Sequence, residues 1–204
     1  MVNIMKEVLE EFSSLLRNRL VNNIYTTEAS VEFTFLLALL EEASITPHGV
    51  ILEYPHPKIS RAEIDIYVPS TSEKAGLVVE LKYDRQIPSG RNAPRPQKAG
   101  RLFNDIFRLA QFNVDPRDTS WLIYFTDEEM AKYLGNPNND LVDFFELPVG
   151  DVLMLDRDYV CRKSETFRRM IGGSIDRRIR AVWSEKMPKQ HQLRAYEVLP
   201  TSTA

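Results

Sequence analysis

Three residues in this 204-residue chain could do chemistry together: Asp65, Glu80 and Lys82. Glu80-Leu81-Lys82 ends an apolar run, 76–83, that reads as a strand. Period-2 geometry puts Glu80 and Lys82 on one face, pointing into one volume. Asp65 lies in the preceding alternating run, 62–69, on the face opposite Ile64, Ile66 and Val68. The two runs are close enough in sequence to form a hairpin. Two carboxylates and an ammonium would then converge. A carboxylate pair suits a hard divalent ion such as Mg2+ or Mn2+, which polarises a phosphate oxygen and lowers the pKa of water. The Leu81 carbonyl is a further candidate ligand. The lysine would position or activate the attacking water, or stabilise charge on the transition state. An E-x-K in a strand is more often a solvated face. Here the strand is apolar on both faces, as central strands are.

A further acid is expected from the helix that begins after Thr26 or Thr27, either a suitable N-cap, and runs to about Ala43. On the helical wheel Glu28 and Glu32 fall with Val31, Phe35 and Leu39, while Ser30, Thr34 and Glu41 mark the polar side. A carboxylate on the buried stripe needs a partner, and a metal site would supply one. The plainer readings are that Glu28 favours the positive helix end and that Glu32 flanks the core and reaches solvent.

The elements that must position these residues follow from periodicity and punctuation. A first amphipathic helix covers 4–20. A short strand, 50–54, stops at the Pro-His-Pro of 55–57. Residues 84–96, with three prolines, a glycine and three arginines, form a loop. A helix follows over about 97–112, then an apolar strand, 121–126, whose Trp121, Tyr124 and Phe125 read as core. The order is α-α-β-β-β-α-β. Beyond it the pattern predicts a short helix over 127–133, a turn over 135–140, a strand over 151–159, a helix over 164–171 and a last strand over 193–199. No linker, internal repeat or low-complexity segment divides the chain, so 1–204 reads as one domain, with its core at about 24–126 and a C-terminal elaboration at 127–204.

Composition is ordinary for a globular protein, 43% hydrophobic and 27% charged. No apolar run is long enough to span a membrane, the N-terminus lacks signal-peptide character, and the single cysteine, Cys161, forms no intrachain disulfide; a cytoplasmic protein is expected. Net charge is −3, yet Lys and Arg outnumber Asp and Glu seven to two over 82–108 and eleven to four over 157–194. That asymmetry makes a basic face for a phosphate backbone feasible. Arg85, Arg91, Arg95 and Arg101 flank the Glu80–Lys82 strand and are candidates to grip phosphates. The chain has no phosphate-loop or dinucleotide-binding motif, and its three histidines suggest neither a zinc pattern nor a catalytic triad.

The element order, with Asp65 on the second strand and Glu80-x-Lys82 on the third, resembles the PD-(D/E)XK nuclease superfamily over roughly 24–126. Ile64 stands where the motif's proline would be. The stretch ELKYDRQIPSGRNAPRPQKAGRLFNDIFRLAQF is similar to a group of bacterial proteins of that superfamily. The resemblance implies an α/β, restriction-endonuclease-like αβββαβ core with a mixed central sheet flanked by helices. It implies Mg2+-dependent hydrolysis of nucleic acid, DNA before RNA. It favours Glu28, in Thr-Thr-Glu-Ala-Ser-Val, as the helix carboxylate, and matches Gln97 or Lys98 to a polar residue beside the active site. Cutting both strands would suit a homodimer. Two other readings stand beside this one: a nuclease fold that has lost catalysis and serves as a binding or scaffold subunit, and an interaction protein with an accidental E-x-K.

Overall fold

The computed structural model describes residues 2–87, 90 and 92–200, and Arg91 lies outside them. Two helices, α1 (Val2–Val21) and α2 (Glu28–Glu42), precede three strands, β1 (Ile51–Pro55), β2 (Glu63–Val68) and β3 (Leu77–Asp84). Helix α3 (Arg95–Gln111) then crosses to β4 (Thr119–Thr126). Short helices α4 (Glu128–Leu134) and α5 (Val142–Phe145) lead to β5 (Val152–Leu155). After α6 (Arg157–Cys161) and α7 (Glu165–Arg168) come β6 (Arg177–Lys186) and β7 (Gln192–Val198). The seven strands make one sheet in the order β1-β2-β3-β4-β7-β6-β5. The β3–β4 pair is parallel and every other pair is antiparallel. A parallel neighbour needs a crossover, and α3 supplies it. The chain is therefore mixed α/β, a seven-stranded mixed sheet flanked by helices.

Alternation along the strands divides the core in two. Leu77, Val79, Leu81 and Tyr83 of β3, with Trp121, Ile123 and Phe125 of β4, meet the apolar stripes of α1 and α2. Val78, Leu122 and Tyr124 meet α3 and the short helices on the other face. Glu80, Lys82 and Asp84 share the α3 face by period. Trp121, Tyr124 and Phe125 are core, as read from sequence. Helix α2 differs in detail from its wheel. Thr34 is buried, its hydroxyl donating to the Ser30 carbonyl at 2.6 Å, while Phe33 and Leu37 face outward. A threonine whose hydroxyl is satisfied inside its own helix no longer needs water.

Three other elements depart from expectation. The strand expected over 151–159 ends at Leu155, because Asp156 turns to cap α6 and accepts from the Tyr159 N–H at 2.7 Å. The helix expected over 164–171 is only Glu165–Arg168. Strand β6 was not anticipated; it joins β5 to β7 and, through β7, to β4.

The close packing of α7 on α3 rests on Gly100. A Cβ there would collide with the Phe167 carbonyl oxygen and come within 2.7 Å of the Met170 Cβ. Alanine would gain helix propensity, but backbone cannot yield as a flexible side chain can. We expect Gly100→Ala to destabilise the protein by about 1–2 kcal/mol net, measured as a lower urea midpoint with an unchanged slope.

Candidate active site

The site begins where β2 parts from β3. Their pairing runs from Val68↔Leu77 to Ile66↔Val79 and no further. Beyond it the Leu81 N–H finds no strand partner on β2 and donates instead to Asp65 Oδ2, at 2.7 Å. The expected alternation of β2 also breaks at this point. Ile64 packs into the α3-side core and Ile66 into the α1–α2 side, although they are two residues apart. Across β1, the register places Glu53 opposite Asp65, and Glu53 adopts a left-handed φ of 52°. The backbone is thus bent at the residue whose side chain replaces a ladder bond, which is a common use of strand irregularities beside sites.

Glu80 is 1% exposed and sits on the α3 face. Its Oε2 accepts from Arg108 Nη2 at 2.7 Å, and the same Nη2 reaches Asp105 Oδ1 at 3.0 Å. Its Oε1 is buried with no hydrogen-bond partner among the described residues, as is Arg108 Nε. The Asp65 and Glu80 carboxyls lie within hydrogen-bonding reach of each other. As carboxylates both can only accept, so either a proton or a cation must lie between them. Burial, then Asp65 and Asp105, push Glu80 well above the usual carboxylate range, against the pull of Arg108. Burial also raises Asp65, opposed by the Leu81 N–H. Asp105 is pushed up to about 7 by burial, with Arg108 and Lys82 opposing. Three carboxyls thus share one guanidinium.

Glu28 reaches the same volume because Thr27 caps α2. The Thr27 backbone is extended, and its hydroxyl accepts from the Ser30 N–H at 3.1 Å. Of the two threonines, Thr27 is therefore the cap, and Glu28 stands in the first helical turn. Glu28 Oε1 accepts from Lys82 Nζ at 2.7 Å and from the Tyr83 N–H at 3.4 Å. It is Lys82's partner and is not joined to the Asp65–Glu80 pair. Burial acts to lower Lys82, but Glu28 and Asp105 outweigh it and hold the ammonium above its usual range. Glu32 is half-buried beside the group, and burial, then Asp65 and Glu28, raise its carboxyl.

The outer candidates divide. Lys98 Nζ donates to the Arg85 carbonyl at 2.7 Å, and Arg85 and Arg101 line a cavity with Lys82. Arg95 is elsewhere: its guanidinium pairs with Glu129 of α4. Gln97 is half-buried, and among the described residues its side chain makes no hydrogen bond to the acids. Asp105 and Arg108 were missed from sequence, although the signal was present. Asp105 falls on the stripe of Leu102, Ile106 and Leu109, where a charge needs a partner, and Arg108 follows three residues on. His56, in the loop between β1 and β2, braces the same arginine. Its Nδ1 accepts the Lys58 and Ile59 N–H groups, so Nε2 is left to donate to the Arg108 carbonyl at 2.9 Å.

The residues present suit a hard divalent ion at Asp65 and Glu80. A buried oxygen there lacks a partner, two carboxyls face each other, and Lys82 with Glu28 is neutral as a pair. Three carboxylates against Arg108 leave an excess of two negative charges. Among the described residues no group of three or more His, Cys, Asp or Glu side chains is arranged to hold a metal. The protein's share of an ion's shell would then be two carboxylates with backbone oxygen, a number Mg2+ accepts.

An acid that binds its proton more tightly folded than unfolded stabilises the fold at low pH and loses that contribution as pH rises to its folded value. For Asp105 the window runs from its ordinary 3.8 to about 7. We expect Asp105→Asn, without divalent ions, to gain in melting temperature over the wild type as pH rises from 4 to 8. A constant difference across that range would show that Asp105 is not held protonated.

Comparison with protein families, curated proteins and solved structures gives no match, so the reading of the site stands on its geometry and chemistry alone.

Proposed function

We propose that the protein is a metal-dependent nuclease that hydrolyses phosphodiester bonds, with DNA the preferred substrate over RNA. One observation carries the reading: Glu80, whose carboxyl lies beside that of Asp65, has a fully buried oxygen, Oε1, without a partner among the described residues. Leaving two desolvated acids face to face costs several kcal/mol unless something positive joins them. Asp65 and Glu80 would hold Mg2+ or Mn2+, with the Leu81 carbonyl as a further oxygen. Bound there, the ion would polarise a phosphate oxygen and acidify water.

The other side chains have roles set by their charge. Lys82 is held as an ammonium, so it donates: it stabilises negative charge on the phosphate oxygens and orients water rather than accepting its proton. Glu28 fixes the direction of that ammonium from the capped end of α2. Arg108, braced by Asp105, holds Glu80 Oε2 and leaves Oε1 free for a cation.

A second reading has its own observation. Arg108 already gives Glu80 one positive partner, at 2.7 Å. A fold that had lost catalysis and kept a binding or scaffold role could use that pair to neutralise a vestigial acid.

End-labelled single-stranded DNA, duplex DNA and RNA, incubated with Mg2+, Mn2+ or EDTA, decide between them. The nuclease reading expects metal-dependent cleavage that falls by roughly 100-fold or more in Asp65→Ala and in Lys82→Ala. It also expects Mn2+ binding in calorimetry that Asp65→Ala abolishes. Absence of both cleavage and Mn2+ binding would leave the scaffold reading.

A further inference from the structure

A cavity of about 340 Å3 opens beside the acids, at the end of β3 and the start of α3. Four cations line it, Lys82, Arg85, Lys98 and Arg101, against two carboxylates, Glu28 and Asp84. Glu28 is bound to Lys82. Asp84 is buried and its Oδ2 accepts from the Tyr124 hydroxyl at 3.1 Å. Two of the remaining cations are held by neutral groups. Arg85 Nη2 donates to the Tyr25 hydroxyl at 2.7 Å, with the guanidinium 4.7 Å from that ring's centre. Lys98 Nζ donates to the Arg85 carbonyl at 2.7 Å. Arg101 is exposed and makes no ion pair among the described residues. The cavity therefore carries excess positive charge, and Arg85, Lys98 and Arg101 make no ion pair among the described residues. Its size is at the small end of ligand pockets, roughly 300–1,000 Å3.

We infer that this cavity is a phosphate subsite, where Arg85, Lys98 and Arg101 hold the phosphate next to the scissile one on the same strand. The inference rests on the nucleic-acid-cleaving reading above. Lys82 stands between the two places: its ammonium interacts by charge with Asp105 and Asp65, and it lines the cavity. A strand with one phosphate over Asp65 and Glu80 and the next against Arg101 would pass along Lys82. Arg95, pinned by Glu129, takes no part.

The charge fits a terminal phosphate monoester or an internal phosphodiester, and binding can distinguish them. Fluorescent single-stranded DNA is titrated in EDTA, so that binding is read without cleavage. Three forms are compared: 5′-phosphorylated linear, 5′-hydroxyl linear, and circular. Wild type, Arg101→Ala, Arg85→Ala and the remote control Lys6→Ala are each measured at several salt concentrations. We expect Arg101→Ala to weaken binding about tenfold and to lower the salt slope by about one, with Lys6→Ala unchanged. If the 5′-phosphate form binds tighter and loses that advantage in Arg101→Ala, the subsite takes a strand end. If all three forms weaken alike, it takes an internal phosphodiester. Unchanged affinity and salt slope in both arginine variants, or no binding by the wild type, would overturn the inference. A protein that cleaves but is indifferent to Arg101 and Arg85 loses the subsite alone. One that binds through them without cleaving loses the catalytic reading alone.

Discussion

The desolvated carboxyl cluster is the constraint that organises this fold. Asp65, Glu80 and Asp105 are drawn out of water by the packing of α3 on the β2–β3 edge, and each resists ionising there. Unpaired buried charge is among the costliest features a fold can carry. Much of the nearby structure answers it: Arg108 bridges Glu80 and Asp105, the Leu81 N–H turns to Asp65, and His56 ties the Arg108 backbone to the β1–β2 loop. Among the described residues, two of its buried atoms remain without a partner, Arg108 Nε and the carboxylate oxygen Glu80 Oε1. A cluster so heavily braced and yet short of one positive partner is better explained by chemistry than by packing, since an apolar residue of Glu80's size would stabilise the same space more cheaply.

How far the sequence reveals this depends on the length scale of each signal. Strand β3 and its E-x-K were legible because alternation is local, and so was Asp65 as an acid on the neighbouring run. The start of α2 was legible to within one threonine through capping chemistry, which left Thr26 and Thr27 open, and the helical wheel left Glu28 and Glu32 open as its carboxylate. The bend at Asp65 was not, because period-2 reasoning assumes an unbroken strand and places Ile64 and Ile66 on one face, where the structure separates them. Thr34 was assigned to water because its hydroxyl looks polar from sequence, whereas within the helix it is satisfied by Ser30. Strand β6 was hidden by its charge. After Arg177, Arg178 and Arg180 alternate with Ile179 and Ala181, and the run reads as a basic surface until β7 and β5 supply its partners. Arg108 was counted toward a basic face, but its guanidinium turns inward to Glu80. Charge tallies do not record direction.

The same limit explains the division among the candidate phosphate-binding residues. Arg85, Arg95 and Arg101 are equivalent in sequence, all close to an active-site strand. In space α4 brings Glu129 to Arg95, while Arg85 is held by a tyrosine hydroxyl and Arg101 makes no ion pair among the described residues. An arginine matched by a carboxylate has little charge left for a substrate. One held by a neutral group keeps nearly all of it, and keeps its direction as well.

Position in the sheet then links the acids to the cations. β3 and β4 are parallel, and in open α/β sheets ligands gather beyond the carboxyl ends of such strands, where the following loop and helix begin. Asp84 and the cavity lie at that end of β3, with the start of α3 beside them. Lys82 is two residues back, paired with Glu28 and within the field of Asp105 and Asp65. Period 2 along one strand therefore sets an order: Glu80 among the acids, Lys82 between, Asp84 at the cationic cavity. Each step of two residues is about 7 Å, given roughly 3.3 Å per residue, so the acids and the cavity are about 13 Å apart along β3. A strand laid along β3 would thus meet, in sequence, a place for a cation and a place for an anion. β3 sets the direction of that ordering, while the cations of the second place come from Arg85 after the strand and from Lys98 and Arg101 of α3.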